Sequence, residues 1–363
     1  MTVANNIYLK RLAAVRQQFD DWEVAGLLIG STHNRRWLSG FTGSNGQLLI
    51  TRDKALLATD FRYWEQAAAE SPAFELVKHQ RTDEDDVAFF AAASVTKIGI
   101  EAQYVTLADR AKLGKIEGIT WKPLAETAES LRKIKTPNEI EIIRAAAAIT
   151  DQVMGQVNAI ARPGMSERTL AWELEKLMRE ADAEAVAFDV IAASGPNAAL
   201  PHHHPGRRQL QAGDTLIVDM GARVDGYHSD MTRTFYLGGE PDEQFWSVYN
   251  LVLAAETAVL NHIKPGMNGK EVDALARDVI TAAGHGDHFG HGLGHGLGLF
   301  IHEDPFLSTR TEKEILAPGM VVTIEPGIYL PGWGGVRIED LILITEDGFE
   351  YLSHCPQTPI VPT

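Results

Sequence analysis

Residues 215–237 read TLIVDMGARVDGYHSDMTRTFYL. Leu216, Ile217 and Val218 form an apolar run that ends on Asp219, and a second strand pattern follows Asp230. Between the two, Asp225-Gly226 suits a two-residue hairpin turn, whose central residues must reach positive φ. Such a turn pairs Val224 with Tyr227 and Gly221 with Asp230. Residues two apart in a strand share a face, so Asp219 is expected beside Asp230. Two neighbouring, partly buried carboxylates repel unless a proton or a cation lies between them. The competing reading is that one of them only caps a turn.

Working outward, the surrounding sequence repeats. Arg162-Pro163-Gly164-Met165 recurs as Lys264-Pro265-Gly266-Met267, each before a helical pattern. Leu210-Gln211-Ala212-Gly213, then Asp214 and TLIVD, recurs as Leu316-Ala317-Pro318-Gly319, then Met320 and VVTIE. Asp219 and Glu325 each stand nine residues after the leucine, and the spacing between the shared segments differs by four residues. Two halves packed about an approximate two-fold would turn equivalent carboxylates toward one centre. Glu325 follows the strand pattern Met320 to Ile324. A second pattern, Val336 to Ile344, carries Glu339, and Tyr329 to Gly335 reads as the loop between them.

Of the 13 histidines, His202, His203 and His204 are consecutive and five lie between 285 and 302, in GHGDHFGHGLGHGLGLFIHEDP. Glycine there allows close backbone approach, and the segment runs into Leu297, Leu299, Phe300 and Ile301, so a strand lining a cavity is expected. One imidazole with four carboxylates makes an oxygen-rich site for two divalent ions. Such ligands suit Mn²⁺ or Co²⁺, and Zn²⁺ is compatible.

The chain has 363 residues, which suggests two domains. Residues 1–128 alternate helical and strand-like stretches: a helix over 7–20, and strands at Val24 to Ile29, Gln47 to Thr51, Ala55 to Thr59 and Lys97 to Glu101. They read as an α/β domain. Residues 129–363 form the second domain. It opens near Thr136-Pro137-Asn138-Glu139, a capping box with proline in the first turn, and a long helix is expected to run through Ile160. Acidic residues outnumber basic ones, 49 to 33, for a formal charge of −16. That opposes binding to nucleic acid or an anionic membrane. The one cysteine, Cys355, excludes an intrachain disulfide. Neither a signal-peptide pattern nor an apolar run of 18 residues is present, so a cytoplasmic protein is expected.

Five segments, PHHHPGRR, VDMGA, SDMTRTF, GHGLGHGLGLFIHE and TIEPGIY with GGVRIED, occur in the order found in the pita-bread metallopeptidases. Over about residues 130–360 the chain resembles the aminopeptidase P and prolidase branch of that family. NRRWLSGFTGSNG and ATDFRYWEQA resemble that branch's smaller domain, less specifically. The resemblance implies an α/β N-terminal domain plus an α+β C-terminal pita-bread domain with a pseudo-two-fold internal repeat. It implies two divalent ions, with Asp219 on one, His295 and Glu325 on the other, and Asp230 and Glu339 bridging. A bridging water would be the nucleophile, and Glu325 its proton shuttle to the leaving nitrogen. His202, His291 and His302 match histidines that bind substrate and the tetrahedral intermediate, where one donor is worth about 2.7–4 kcal/mol. Arg337 matches an arginine near the metals that could hold a carboxylate.

The implied activity is hydrolysis of the bond between an N-terminal residue and proline, in proline-containing peptides, by a homodimer. An Xaa-Pro aminopeptidase is favoured, with an Xaa-Pro dipeptidase (prolidase) as the alternative. The proline nitrogen bears no N–H, so a dedicated pocket is needed, for which Phe188, Tyr236 and Tyr329 are candidates. A methionine aminopeptidase is disfavoured by the extra N-terminal domain. A creatinase-like amidinohydrolase or a non-catalytic peptide-binding module is disfavoured because every metal position is retained. His203 and His204 are expected at a loop or rim, and His285 and His288 in structural or solvent-facing places.

Overall fold

The apolar runs of the first third become strands because leucine and isoleucine on both faces are covered. The computed structural model describes residues 3–361. Two units divide between Arg132 and Lys133. The first contains α1 (Val3–Gln17), β1 (Gly26–Ile29), α2 (Thr32–Ser39), β2 (Gln47–Thr51), β3 (Ala55–Thr59), α3 (Trp64–Glu70), β4 (Glu75–Lys78), α4 (Asp83–Ala93), β5 (Lys97–Glu101), α5 (Leu107–Leu113), β6 (Thr120–Leu124) and α6 (Glu129–Arg132). Its strands form one mixed sheet in the order β4-β3-β2-β1-β5-β6. Strands β2, β3 and β5 fall where the sequence places them. The periodicity of β4 and β6 is weak, since ELVK and TWKPL each leave charged or exposed positions.

The second unit opens on α7 (Pro137–Met154), with Thr136 and Glu139 closing the expected capping box, a device worth about 1 kcal/mol. The helix does not run unbroken through Ile160. It stops before Gly155, where Gln156 N turns to Val153 O, and resumes as α8 (Val157–Ile160). Glycine costs a helix interior about 1 kcal/mol, which locates the break. There follow α9 (Glu167–Glu180), β7 (Ala185–Val186), β8 (Ile191–Ser194), β9 (Thr215–Met220), β10 (Ala222–Val224), β11 (Tyr227–His228), β12 (Met231–Leu237), α10 (Glu243–Leu260) and α11 (Gly269–Ala282). The remainder is β-structure: β13 (Gly294–Gly296), β14 (Glu303–Leu307), β15 (Val321–Ile324), β16 (Gly327–Leu330), β17 (Gly334–Arg337), β18 (Asp340–Ile344), β19 (Phe349–Tyr351) and β20 (Ile360–Val361).

Val224 faces Tyr227 as the Asp225-Gly226 turn requires, and the same register continues to Met220–Met231 and Asp219–Thr232. The hairpin changes sheet on the way. β9 and β12 belong to the sheet β20-β12-β9-β8, while β10 and β11 belong to β11-β10-β7. The strand turns at Gly221, where a Cβ would stand 1.9 Å from Ser229 O.

The internal repeat is written in hydrogen bonds. Gly164 N donates to Leu210 O and Leu210 N to Met165 O; Gly266 N donates to Leu316 O and Leu316 N to Met267 O. Helices α7 and α9 bury Val153, Leu170, Leu174 and Met178 with Leu216, Val218 and Phe235 of the first half. Helices α10 and α11 bury Phe245, Val252, Val272 and Ile280 with Val322, Ile324 and Ile342 of the second. The second half departs from expectation in one place. Tyr329 to Gly335 is mostly strand, in the hairpin β16–β17, and Val336 to Ile344 is two strands rather than one. The division falls at Glu339, whose N–H donates to Thr232 O of the first half. Thr234 Oγ1 likewise donates to Arg337 O at 2.7 Å. The seam between the halves, not the local pattern, sets that break. Among the described residues, no helix is long and apolar enough to cross a membrane.

Candidate metal centre

Asp219 comes from β9, Asp230 from the turn into β12, and Glu339 from the junction of β17 and β18. Each offers an oxygen within 4.8 Å of the others, and all three residues are buried. Asp219 Oδ1, Asp230 Oδ1 and Glu339 Oε1 are buried without any hydrogen-bond partner. An unsatisfied buried acceptor costs about 1–3 kcal/mol, and more when charged. Burial pushes the Asp230 and Glu339 carboxyls well above the usual carboxylate range, and neighbouring acids push them further.

His295 on β13 approaches the cluster from the second half. Its Nε2 lies 3.6 Å from Asp230 Oδ2 and 3.5 Å from Glu325 Oε1. Nδ1 stands 3.0 Å from Gly296 O. A carbonyl only accepts, which assigns the ring proton to Nδ1. Burial, helped by His302, lowers the imidazole to about 4, so the ring is neutral at pH 7. Nε2 therefore turns a lone pair toward two carboxylate oxygens. Glu325, after β15, is raised to about 8, chiefly by burial, with Arg337 opposing and Asp219 adding to the rise. An acceptor-only cluster of buried oxygens and one imidazole lone pair fits divalent cations in its donor chemistry.

Arg337 on β17 is buried and engaged throughout. Nη2 donates to Asp219 Oδ2 at 2.6 Å, Nε to Thr232 Oγ1 at 3.0 Å, and Nη1 to the Tyr329 hydroxyl at 3.0 Å and Pro201 O at 3.3 Å. Thr232 Oγ1 in turn donates to Glu339 Oε2 at 2.7 Å. His291 Nδ1 donates to Gly292 O at 2.7 Å, leaving Nε2 to accept from the Tyr329 hydroxyl at 2.8 Å. Burial, then the Arg337 charge, holds His291 near 4 and neutral. His302 packs on His295 with ring centroids 4.3 Å apart. Burial, then His202, lowers its pKa.

All nine residues singled out in the sequence, His202, Asp219, Asp230, His291, His295, His302, Glu325, Arg337 and Glu339, line one cavity of about 560 Å³. Phe188 lines it too. Tyr236 does not; it packs on Phe245 in the core. The strand expected across the glycine-rich tract is only three residues long. His285 and His288 face each other, Nδ1 to Nδ1 at 3.3 Å. Thr232 and Tyr329 have polar duties that sequence reasoning missed, although Thr232 lies directly opposite Asp219 in the hairpin register.

A two-half unit that gathers acids and a histidine in this way has the donor set of a divalent-metal protein. Residues 141–346 match the model of metallopeptidase family M24, and residues 11–134 match that of the creatinase/prolidase N-terminal domain. The chain belongs to metallopeptidase family M24 and has the pita-bread fold of its structural neighbours. It is 43% identical over 356 residues to an uncharacterized peptidase, YqhT, of Bacillus subtilis, covering 97% of this chain and 99% of that protein. The solved structure of an Xaa-Pro dipeptidase from Bacillus anthracis superposes with a TM-score of 0.95 at 39% identity, covering 98% of this chain and 100% of that one. An X-Pro aminopeptidase from Thermotoga maritima gives a TM-score of 0.89 at 33% identity, covering 97% and 99%.

Proposed function

We propose that the protein is an Xaa-Pro aminopeptidase using two divalent ions, Mn²⁺ or Co²⁺, held by Asp219, Asp230, His295, Glu325 and Glu339. The observation that carries this reading is the set of partnerless buried oxygens on Asp219, Asp230 and Glu339 beside the neutral His295. Bound there, the ions would polarise the scissile carbonyl and acidify the attacking water. Glu325, beside the ions, would take the proton from the attacking water and return it to the proline nitrogen as the C–N bond breaks. The proline nitrogen brings no proton of its own, so this delivery decides whether it leaves. His202 and His302 face the cavity as donors to the developing oxyanion. Arg337 and Thr232 keep Asp219 and Glu339 aimed.

A dipeptidase must receive the carboxylate of proline beside the reacting bond. Arg337 is the single arginine or lysine among the described residues lining the cavity, and Asp219, Thr232, Tyr329 and Pro201 already occupy it. These contacts engage four of its five N–H groups, leaving too few for a bidentate grip on a terminal carboxylate, which favours longer peptides. The dipeptidase reading is supported by what the Bacillus anthracis neighbour is called. The test compares an Xaa-Pro dipeptide with an Xaa-Pro tripeptide under Mn²⁺, Co²⁺ and Zn²⁺ in turn, with metal content measured. Faster turnover of the tripeptide and about two ions per chain are expected; a strict dipeptide preference selects the prolidase reading, and no bound metal removes both. We further propose a cytoplasmic homodimer, which a monomer by light scattering would rule out.

A further inference from the structure

His203 lines the cavity with His202 and His204, but unlike them it is only partly exposed and is tied to a buried acid. His202 and His204 are exposed, whereas the His203 ring reaches Glu167 in the first turn of α9. Glu167 has no exposed surface. Its Oε1 accepts from Ser194 N at 2.9 Å, Ser194 Oγ at 2.8 Å and Asn197 Nδ2 at 2.9 Å. Its Oε2 accepts from His203 Nε2 at 2.9 Å and Gly206 N at 3.2 Å. Burial alone would raise this acid, but those donors outweigh it and keep the carboxyl below its ordinary range. One oxygen thus holds the end of β8, and the other holds the segment that carries His202. From the far side, Arg337 fixes the same segment through Pro201 O.

The second half solves the same problem one turn later in its helix. Gly269 is the repeat equivalent of Glu167, and a Cβ there would stand 2.2 Å from Phe306 O, so no side chain fits. The carboxylate appears instead at Asp273, which is 1% exposed. Asp273 Oδ1 accepts from Leu293 N at 3.1 Å, and both its oxygens accept from Arg277. Arg277 donates on to Phe289 O and to His291 O, both at 2.8 Å. Residues 289–293, with His291 among them, are therefore clamped to α11.

We propose that Glu167 and Asp273 are paired positioning residues, each holding the histidine-bearing segment of its own half against the cavity. The kinetic consequence rests on the peptidase reading above; the mechanical one does not. Glu167→Gln is the sharp variant, because a Gln with its carbonyl toward Ser194 and Asn197 places an N–H₂ where His203 and Gly206 need an acceptor. His203→Leu removes the donor from a partly exposed position, and His203→Gln restores an N–H at the same place.

The test reads amide exchange by mass spectrometry in the metal-free protein, then kinetics and metal content in the loaded one. Exchange over 201–206 should rise about tenfold or more in Glu167→Gln and His203→Leu, while 215–237 stays within about twofold. Asp273→Asn should do the same over 289–293. In the loaded enzyme kcat should fall about tenfold or more at unchanged metal content, and His203→Gln should recover it. Unchanged exchange, or a uniform rise across the second unit, overturns the proposal. So does a His203→Leu enzyme with wild-type kcat. Wild-type protein that cleaves no Xaa-Pro peptide overturns the peptidase reading instead, and the exchange result alone then decides the anchoring.

Discussion

Arg337 Nη2 meets Asp219 Oδ2 at 2.6 Å, with the arginine side chain 4% and the aspartate side chain 12% exposed, so a strand of the second half neutralises an acid of the first. Removing one partner of a buried pair leaves the other charged and alone, at a cost of about 3–5 kcal/mol. Arg337→Met should lose that much in urea unfolding of the metal-free protein. A loss below about 1 kcal/mol would show that the pair contributes little.

The crowded acids predict opposite effects on stability and activity. Asp230→Asn and Glu339→Gln each replace an acid whose ionisation burial and the neighbouring carboxylates oppose. The metal-free variants should melt at or above the wild-type temperature, yet hydrolyse Xaa-Pro peptides about a thousandfold or more slower. Mn²⁺ is expected to raise the wild-type Tm, by about 2.7 kcal/mol of stabilisation at a hundred times its Kd, and the variants should lose that shift. Variants that melt lower and keep their activity would contradict the cluster reading.

A second buried acid predicts a pH dependence away from the cavity. Glu256 on α10 has no exposed surface, and burial, followed by the charge of Asp340, pushes its carboxyl well above the ordinary value. The folded chain therefore keeps a proton that the unfolded chain releases above about pH 4.5. Its contribution to stability is complete below that pH and is lost as pH rises toward the folded value, by up to about 1.4 kcal/mol per unit. Glu256→Gln carries no such proton. Its stability advantage over wild type should widen between pH 5 and pH 8 in unfolding titrations of the metal-free protein; a constant difference would refute the assignment.

Gly221 offers a purely steric prediction. A Cβ there meets Ser229 O at 1.9 Å and the Ser229 carbonyl carbon at 2.8 Å, both backbone. Neither can swing aside as a side-chain tip would. Gly221→Ala should cost more than about 3 kcal/mol and lower metal binding with it, because Asp219 and Asp230 flank the bend. Calorimetric Tm together with Mn²⁺ titration checks both parts.

Much of the centre could be read from the chain because one turn sets the phase of a whole hairpin. Asp225-Gly226 determines which residue faces which, and Asp219 and Asp230 follow without further information. In the second acid pair the repeat locates Glu325 and a strand pattern suggests Glu339, but the strand expected over Val336 to Ile344 divides in two. Glu339 answers to Thr232, 107 residues away, and no local window contains that bond. His203 sits in a loop at the cavity, where a rim residue is expected, but a run of three histidines says nothing about which one also reaches Glu167. Tyr329 was a candidate for the proline pocket and instead links Arg337 to His291. Apolar periodicity reports burial, and long-range polar pairing is silent in it.

The acids of the centre come from both sides of the repeat, Asp219 and Asp230 from the earlier copy, Glu325 and Glu339 with His295 from the later. During synthesis the first pair leaves the ribosome roughly a hundred residues before the second, and alone it offers no enclosed nest for an ion. Cation capture at such a centre would then act as a coincidence detector, complete only in a chain whose two copies are both finished and docked. The ion that would arm the enzyme would also certify it, and a truncated product would remain inert rather than become a half-formed protease loose among its neighbours.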